Sequence, residues 1–443
     1  MRRVILAFVF VAGPATSALA AAYAVREQSA DAMSTAYAGA AATGTDASFL
    51  NYNPAAAAAT DGGDIAFSAI AILPNSSANE STALTSAGTP VSGTKTASGF
   101  IRNAVVPNVA MRQRLSDRWS VGLSVSVPWG LSTYYPSSYA GRYYGLGTKL
   151  LTVNVSPVVA YDIAPGISLA GGLQAQYAKG TLTSDIDTGT LGATLAIPGS
   201  VPGAMDTIAR VNTHNWAYGY VLGARASLDD GWTLGLSYHS AVHHTLKGPL
   251  TFTLDGAGLG AAIRGATGLF TDTTARAKLA TPDVAEFGVR KKINDRLTAL
   301  LEVDWTGWSV FKELRVVAAN PVQPSDVTNA QWHDSWMAAL GVEYVLDDQW
   351  TLRGGTAYDG SPIPDSTISP RIPDADRYWI SAGATYHASQ STDLKLTYSH
   401  LFNDTRDMAQ SPTQPGNALR GVLTGTTESG VNVVGLQIDY RWQ

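Results

Sequence analysis

The sequence predicts an all-β chain: a fourteen-stranded antiparallel transmembrane β-barrel with a small N-terminal helical hatch, or plug. Three observations lead there. Apolar and polar residues alternate with period two, as where Val434, Leu436, Ile438, Tyr440 and Trp442 oppose Gly435, Gln437, Asp439 and Arg441. Tight and long connections take turns along the chain, as periplasmic turns and outer loops do in outer-membrane barrels. Charged residues make up only 15%, beside 43 Gly, 11 Trp and 19 Tyr, which suits an outer face that meets lipid.

The elements follow in order. Arg2 and Arg3 precede an apolar run, Val4 to Val11, and then Ala18-Leu19-Ala20. This reads as a secretory signal over 1–20 with an A-x-A cleavage site, placing the mature start at Ala21. The apolar run is too short for a membrane-anchoring helix, and no comparable run follows it. Residues 21–60 are Ala-rich, with Ala30, Met33, Ala36, Tyr37 and Ala40 at helix-like spacing until Asn53-Pro54 breaks the pattern. This segment could be a periplasmic tail, a surface arm or a plug, and the barrel would occupy 61–443.

Strands are expected at 63–73, 100–114, 119–131, 149–162, 167–183, 211–228 and 232–254. The rest fall at 274–291, 297–315, 335–346, 350–359, 376–387, 392–404 and 430–442. Ser116-Asp117-Arg118, Ala164-Pro165-Gly166, Asp229-Asp230-Gly231, Asn294-Asp295-Arg296, Asp347-Asp348-Gln349 and Ser389-Gln390-Ser391 carry hairpin chemistry. The long connections are 74–99, 132–148, 184–210, 255–273, 316–334, 360–375 and 405–429. Within strands, Leu297, Ala299, Leu301, Val303 and Trp305 face away from Glu302 and Asp304. Trp119, Tyr161, Trp232, Trp350 and Trp442 mark strand ends, as interfacial girdles do.

Some classes are excluded or disfavoured. A net charge of −5 gives no reason to expect a nucleic-acid partner, and zero Cys removes disulfide and thiol chemistry. No nucleotide or cofactor motif is present. A lipase or protease would need a nucleophile beside a base. His239 and Ser240 point to opposite strand faces, and so do His243 and His244, so neither a catalytic pair nor a metal site is expected. A general porin shares the barrel but would keep an open lumen with charge rings. The mixed signs of Arg225, Glu286, Arg290, Glu302, Asp304, Arg353 and Arg377 read better as lumen ion pairs holding a plug.

Several motifs, in order and spacing, resemble the FadL-type outer-membrane transporters of long-chain fatty acids and other hydrophobic compounds. They are Asn53-Pro54-Ala55, Pro128-Trp129-Gly130-Leu131, Tyr139-Ala140-Gly141, Thr306-Gly307-Trp308-Ser309-Val310-Phe311, Asp359-Gly360-Ser361-Pro362-Ile363-Pro364 and 373–379. The resemblance covers most of the mature chain. It implies passive uptake by a monomer of the bacterial outer membrane, in contact with its lipid and without a cofactor. The cargo would be a long-chain fatty acid or another hydrophobic ligand, including neutral aromatic hydrocarbons.

It also implies sites. A kink in the third strand, with Gly130 at the kink, opens the wall; Pro128 removes a ladder donor there and Gly130 loosens the backbone. The alternative is that the strand ends and Pro128-Trp129-Gly130 opens a loop. An apolar outer groove is implied between 184–210, with Leu195 and Ile197, and 255–273, with Ile263 and Phe270. The same loops could instead close on each other as a lid. A lumen site against the hatch would use Tyr23 as its aromatic. Arg315 stands at one of the family's basic positions, while the other falls at Ser184, where Lys179 could substitute. The missing cation casts doubt on a carboxylate cargo.

Overall fold

The computed structural model describes residues 22–443, so the expected signal segment 1–20 lies outside the described residues. Fourteen strands form one closed antiparallel barrel. They are β1 (Gly63–Leu84), β2 (Thr96–Ser98, Ala104–Arg114), β3 (Trp119–Ser126, Gly130–Tyr134), β4 (Gly147–Ala164) and β5 (Ile167–Asp187). Next come β6 (Asp206–Ser227), β7 (Trp232–His239, Val242–Thr253), β8 (Thr273–Thr281, Val284–Lys292) and β9 (Leu297–Thr306, Glu313–Ala318). The last are β10 (Asp326–Asn329, Ser335–Val345), β11 (Trp350–Asp359), β12 (Arg377–His387), β13 (Thr392–Asn403, Arg406–Gln410) and β14 (Val422–Trp442). Closure is made by β1 on β14, from Gly63↔Trp442 to Leu84↔Val422. It leaves no free sheet edge to meet hydrocarbon.

Both closing strands run farther than their hydropathy predicts. In β1 the stretch Asn75-Ser76-Ser77-Ala78-Asn79-Glu80-Ser81-Thr82 is polar on both faces, yet it stays in the ladder with β14. Above the bilayer a strand has water on its outer side, so alternation fades while the hydrogen bonding continues. Within the bilayer zone the alternation is obeyed. Leu236, Leu340, Ile380, Leu396 and Leu436 point outward and are more than half exposed. In water this would be an apolar surface without a partner; in a bilayer it is the solvated face. Trp119 with Tyr161, and Trp350 with Tyr386, pair at the tight-turn end.

Residues 23–59 lie inside the barrel. They comprise α1 (Ala30–Ser34) and short 3₁₀ turns at Ala47–Asn51 and Pro54–Ala58. Met33, Tyr37, Phe49 and Leu50 pack against inward Ile70, Val106, Leu300, Trp379 and Val433. Ion pairs fasten the segment to the wall. Lys395 on β13 meets Asp31 and Asp46 at 2.5 Å, and Arg353 on β11 meets Asp31 at 3.0 Å. Arg26 meets Asp304 on β9 at 2.6 Å. Arg112 on β2 donates to the Gly44 and Ala56 carbonyls at 3.0 and 2.6 Å. Buried pairs of this kind are costly to break singly, because the remaining charge is left without a partner.

The Asn53-Pro54-Ala55 motif has a local explanation. Asn53 caps its 3₁₀ turn by accepting from the Ala55 amide at 2.9 Å, and donates to the carbonyls of Ala41 (2.7 Å) and Ala224 on β6 (3.0 Å). One amide side chain thus ties the segment to itself and to the barrel. Close approach also explains part of the glycine content. A Cβ on Gly355 would stand 2.0 Å from the Thr35 carbonyl oxygen, and one on Gly235 1.9 Å from that of Ala41. Gly355→Val is expected to displace residues 30–42 and lower the hatch's unfolding midpoint by the equivalent of about 1–3 kcal/mol. Gly354→Val should be neutral, since a Cβ there has its nearest contact at 3.7 Å. Hydrogen exchange of the hatch, with heat-modifiable gel mobility as the check on the barrel, separates the two variants.

Candidate functional site

The barrel wall is irregular on two sides, and between them lies a pocket holding the start of the hatch. On the first side β3 leaves its ladder at Val127-Pro128-Trp129. Its pairing with β2 stops at Val109↔Val125, and β2 residues 104–108 pair only with β1 until a bridge forms at Ile101↔Thr133. Three β3 residues, 127–129, here oppose two on β4, because Ser126 pairs with Asn154 and Gly130 with Leu151. This is a bulge, and Pro128 brings no N–H to it. The β4 side stays joined through Thr152, whose amide donates to the Trp129 carbonyl at 3.1 Å.

The hatch takes the place that β2 gives up. Val25 donates to the Pro128 carbonyl and Gly130 to the Tyr23 carbonyl, both at 2.8 Å, so Ala24 and Trp129 face each other as an antiparallel pair. Gln28 extends the pairing: its side-chain NH₂ donates to the Val127 carbonyl at 2.8 Å, and its oxygen accepts from the Val127 amide at 3.1 Å. The strand therefore continues past Pro128, as Gly130–Tyr134.

On the other side the β8–β9 ladder stops at Val284↔Thr306 and resumes at Ala277↔Val316. Between these pairs β9 turns inward through Trp308–Val310, and β10 does likewise between Asn329 and Ser335. The detours bury Trp308, Phe311 and Trp332. Tyr23 fills the space they enclose, with ring centroids 4.7 Å from Trp308, 5.5 Å from Trp332, 5.8 Å from Phe311 and 6.0 Å from Trp129. Its hydroxyl donates to the Ala280 carbonyl at 3.0 Å. Sequence reasoning did not single out Trp308, Phe311 and Trp332 as a group. The available signal was the break in alternation at Thr306-Gly307-Trp308.

Beside this aromatic pocket lies a cavity of about 90 Å³ bordered by Arg26, Gln28, Trp129, His239, Pro282 and Glu286. Glu27, the neighbouring hatch residue, is fully buried, and neither of its carboxylate oxygens has a hydrogen-bond partner. Burial pushes its carboxyl up to about 7, against the lowering pull of Arg377 and Arg26.

The two basic residues assigned to a carboxylate clamp stand elsewhere. On β9, Leu314 and Val316 pack inward, so Arg315 points out; it is about half exposed and bonds Glu313 through Nε (2.7 Å) and an Nη (2.9 Å). On β5, Gln174, Gln176 and Ala178 are buried in the lumen, so Lys179 lies on the exposed outer face with Leu173 and Tyr177. Period-two geometry bars both from the Tyr23 pocket. His243 likewise points outward, while inward His244 sits between Asn215 (2.7 Å) and Gln176 (2.9 Å).

Of the loop residues, Ile263 and Phe270 are buried with Leu259, Phe252 and Val316, and Ile197 and Leu191 pack against the same cluster. Leu195 and Val201 remain exposed at its rim. The helices α2 (Thr188–Thr194) and α3 (Leu259–Thr267) thus close on each other, with an apolar lip left outside.

Comparison with known proteins agrees with this architecture. The profile of the family described as "Outer membrane protein transport protein (OMPP1/FadL/TodX)" matches residues 11–442. The long-chain fatty acid transport protein of Escherichia coli is 28% identical, covering 94% of this chain and 96% of its own. Outer membrane protein P1 of Haemophilus influenzae is 26% identical, covering 97% and 96%. The crystal structure of a Pseudomonas aeruginosa FadL homologue superposes with a TM-score of 0.88 at 26% identity, over 96% of this chain and 100% of that one. The Ralstonia pickettii toluene transporter TbuX shares the fold, with a TM-score of 0.65 at 16% identity over 93% and 97%. The chain belongs to the OMPP1/FadL/TodX family, and is a bacterial outer-membrane β-barrel that transports hydrophobic compounds rather than an enzyme.

Proposed function

We propose that this chain takes up long-chain fatty acids or related hydrocarbons passively. Cargo would gather on the apolar lip of loops 184–210 and 255–273, displace Tyr23 from its aromatic pocket, and leave sideways between β2 and β3. One observation carries the reading: the β2–β3 gap is filled by hatch residues 23–28 rather than by strand, through a few backbone hydrogen bonds. Cargo that enters the pocket of Tyr23 must move the residue whose carbonyl holds Gly130. Occupancy of the pocket and release of the stopper are then the same event. A sideways exit also suits the cargo, since each methylene exposed to periplasmic water costs about 0.8 kcal/mol.

The likeness to fatty acid transport proteins favours an acyl chain. Four aromatic rings surround Tyr23, and Lys179 and Arg315 lie on the outer face of the wall, which favours a second reading, a neutral hydrocarbon cargo. Competition between palmitate and hexadecane for the purified barrel decides between them; equal displacement would point to the neutral reading. A general porin is disfavoured by the segment packed across the lumen.

Two predictions follow from the route. Deleting Pro128 and replacing Gly130 with Val removes the extra residue opposite β4 and restores strand propensity. Uptake should fall while folding, heat-modifiable mobility and ligand binding persist; normal uptake by the folded variant would rule out the lateral route. The second concerns Glu27. A carboxyl raised to about 7 from an ordinary 4.5 favours the neutral, folded state. Its contribution is intact below about pH 4.5 and is lost as pH rises through 7, by at most about 3 kcal/mol. Protection factors at residues 23–28, which remove the intrinsic base-catalysed rise in exchange, should therefore fall between pH 5 and 8, and Glu27→Gln should flatten that fall. An unchanged pH profile in the variant would exclude Glu27 as the source.

A further inference from the structure

The outward face of β4–β9 carries a band of basic residues that neither the transport route nor the fold uses. Lys179 on β5, His214 on β6, Lys247 on β7 and Arg276 on β8 are successive ladder partners, so they form one row across the wall. Lys278 is two positions along β8, Lys149 is on β4 two positions from Leu151, the partner of Lys179, and Arg210 is on β6 above His214. Among the described residues, no carboxylate pairs with Lys149, Lys179, Arg210, Lys247, Arg276 or Lys278. Arg315, next along on β9, has the one acidic neighbour, Glu313. Like charges on neighbouring strands repel. Such a row calls for an external anion.

Its depth says which anion. Tyr177 and Trp216 pair outward with ring centroids 5.4 Å apart, two residues below Lys179 and His214. Beneath them Tyr218, Tyr220 and Leu222 are exposed, forming the apolar band. Two strand residues rise about 7 Å, which places the cations just above the aromatic girdle, at the level of lipid headgroups. The band is also one-sided. At the same height on β10–β13, above Trp336, Tyr358 and Tyr378, stand Asp334, Asp376 and Asp404, with the Tyr358 hydroxyl donating to Asp376 at 2.7 Å.

We infer that the outer face of β5–β8 is a docking site for the phosphorylated glycolipid of the outer leaflet. Its phosphates would lie on Lys179, Lys247, Arg276 and Lys278, and its acyl chains over Tyr177, Trp216, Tyr218 and Leu222. Arginine and lysine are the side chains suited to phosphate, and their charges act together at the membrane surface. The cargo carboxylate is the weaker candidate, because the row faces lipid rather than the lumen.

The test uses the full mature chain in phosphatidylcholine nanodiscs doped with bisphosphorylated or fully dephosphorylated lipid A, with retained lipid read by native mass spectrometry. The barrel should retain the bisphosphorylated form at least about tenfold better. Lys247→Gln/Arg276→Gln/Lys278→Gln should lose that preference, and Asp376→Asn/Asp404→Asn should keep it. Equal retention of the two lipids by the unaltered protein would overturn the inference even if the triple variant failed to assemble. So would wild-type retention by an assembled triple variant. Cation-dependent retention of oleate, with no lipid A preference, would also overturn it and assign the row to cargo capture.

Discussion

A backbone amide or carbonyl facing hydrocarbon without a partner costs several kcal/mol, and a membrane barrel normally avoids that cost by pairing every strand. This chain breaks the rule beside β3, where Pro128 and a one-residue bulge part the strand from β2. On β3 the groups so freed are bonded from inside, by Tyr23, Val25 and Gln28. The gap and the hatch are therefore two halves of one arrangement. Without the gap the start of the hatch would have no strand to pair with, and without the hatch the gap would expose an unsatisfied edge.

The hatch is held unevenly. Its body is fixed by Lys395, Arg353 and Arg112 and by contacts so close that only glycine fits at Gly235 and Gly355. Its start depends on the strand-like bonds at β3, the ring contacts of Tyr23 and the Arg26–Asp304 pair. Proteins open locally where such contacts are few, well below the free energy of global unfolding. On the route proposed above, a small movement of residues 23–28 over this firmly held body would uncover the wall with the plug still in the barrel.

Much of this was legible from residues alone, for a physical reason. The bilayer imposes the alternation that marks strands such as Val434 to Trp442, and the turn residues of Asp229-Asp230-Gly231 mark their ends. Legibility failed where that force stops acting. Polar Asn75 to Thr82 looked like loop because its outer face meets water while its inner face buries polar Ser76 and Glu80, although the ladder to β14 continues there. The inward detours of β9 and β10 were hidden inside a span read as one strand and a long loop, so the cage of Trp308, Phe311 and Trp332 went unseen. Arg315 was placed by likeness to a family position, and Lys179 by its nearness in sequence to another at Ser184, while strand parity sets both outside; the alternation of Gln174, Gln176 and Ala178 already placed Lys179 on the face of Tyr177. The local structure at Asn53 and Pro128 follows their motifs, because each acts through nearby backbone geometry, which a motif preserves.

Because the chain has no Cys, the stopper can be locked by one engineered bond. Ala24 and Trp129 are a non-hydrogen-bonded antiparallel pair, flanked by the Val25–Pro128 and Gly130–Tyr23 bonds. In such a pair the Cα atoms lie about 4.5 Å apart, within reach of a disulfide. The direct measurement is fatty-acid uptake by cells carrying Ala24→Cys/Trp129→Cys, before and after reduction. Uptake should be blocked when the bond is oxidised and return when it is reduced, with the barrel folded throughout. Undiminished uptake through the locked protein would contradict the sideways route.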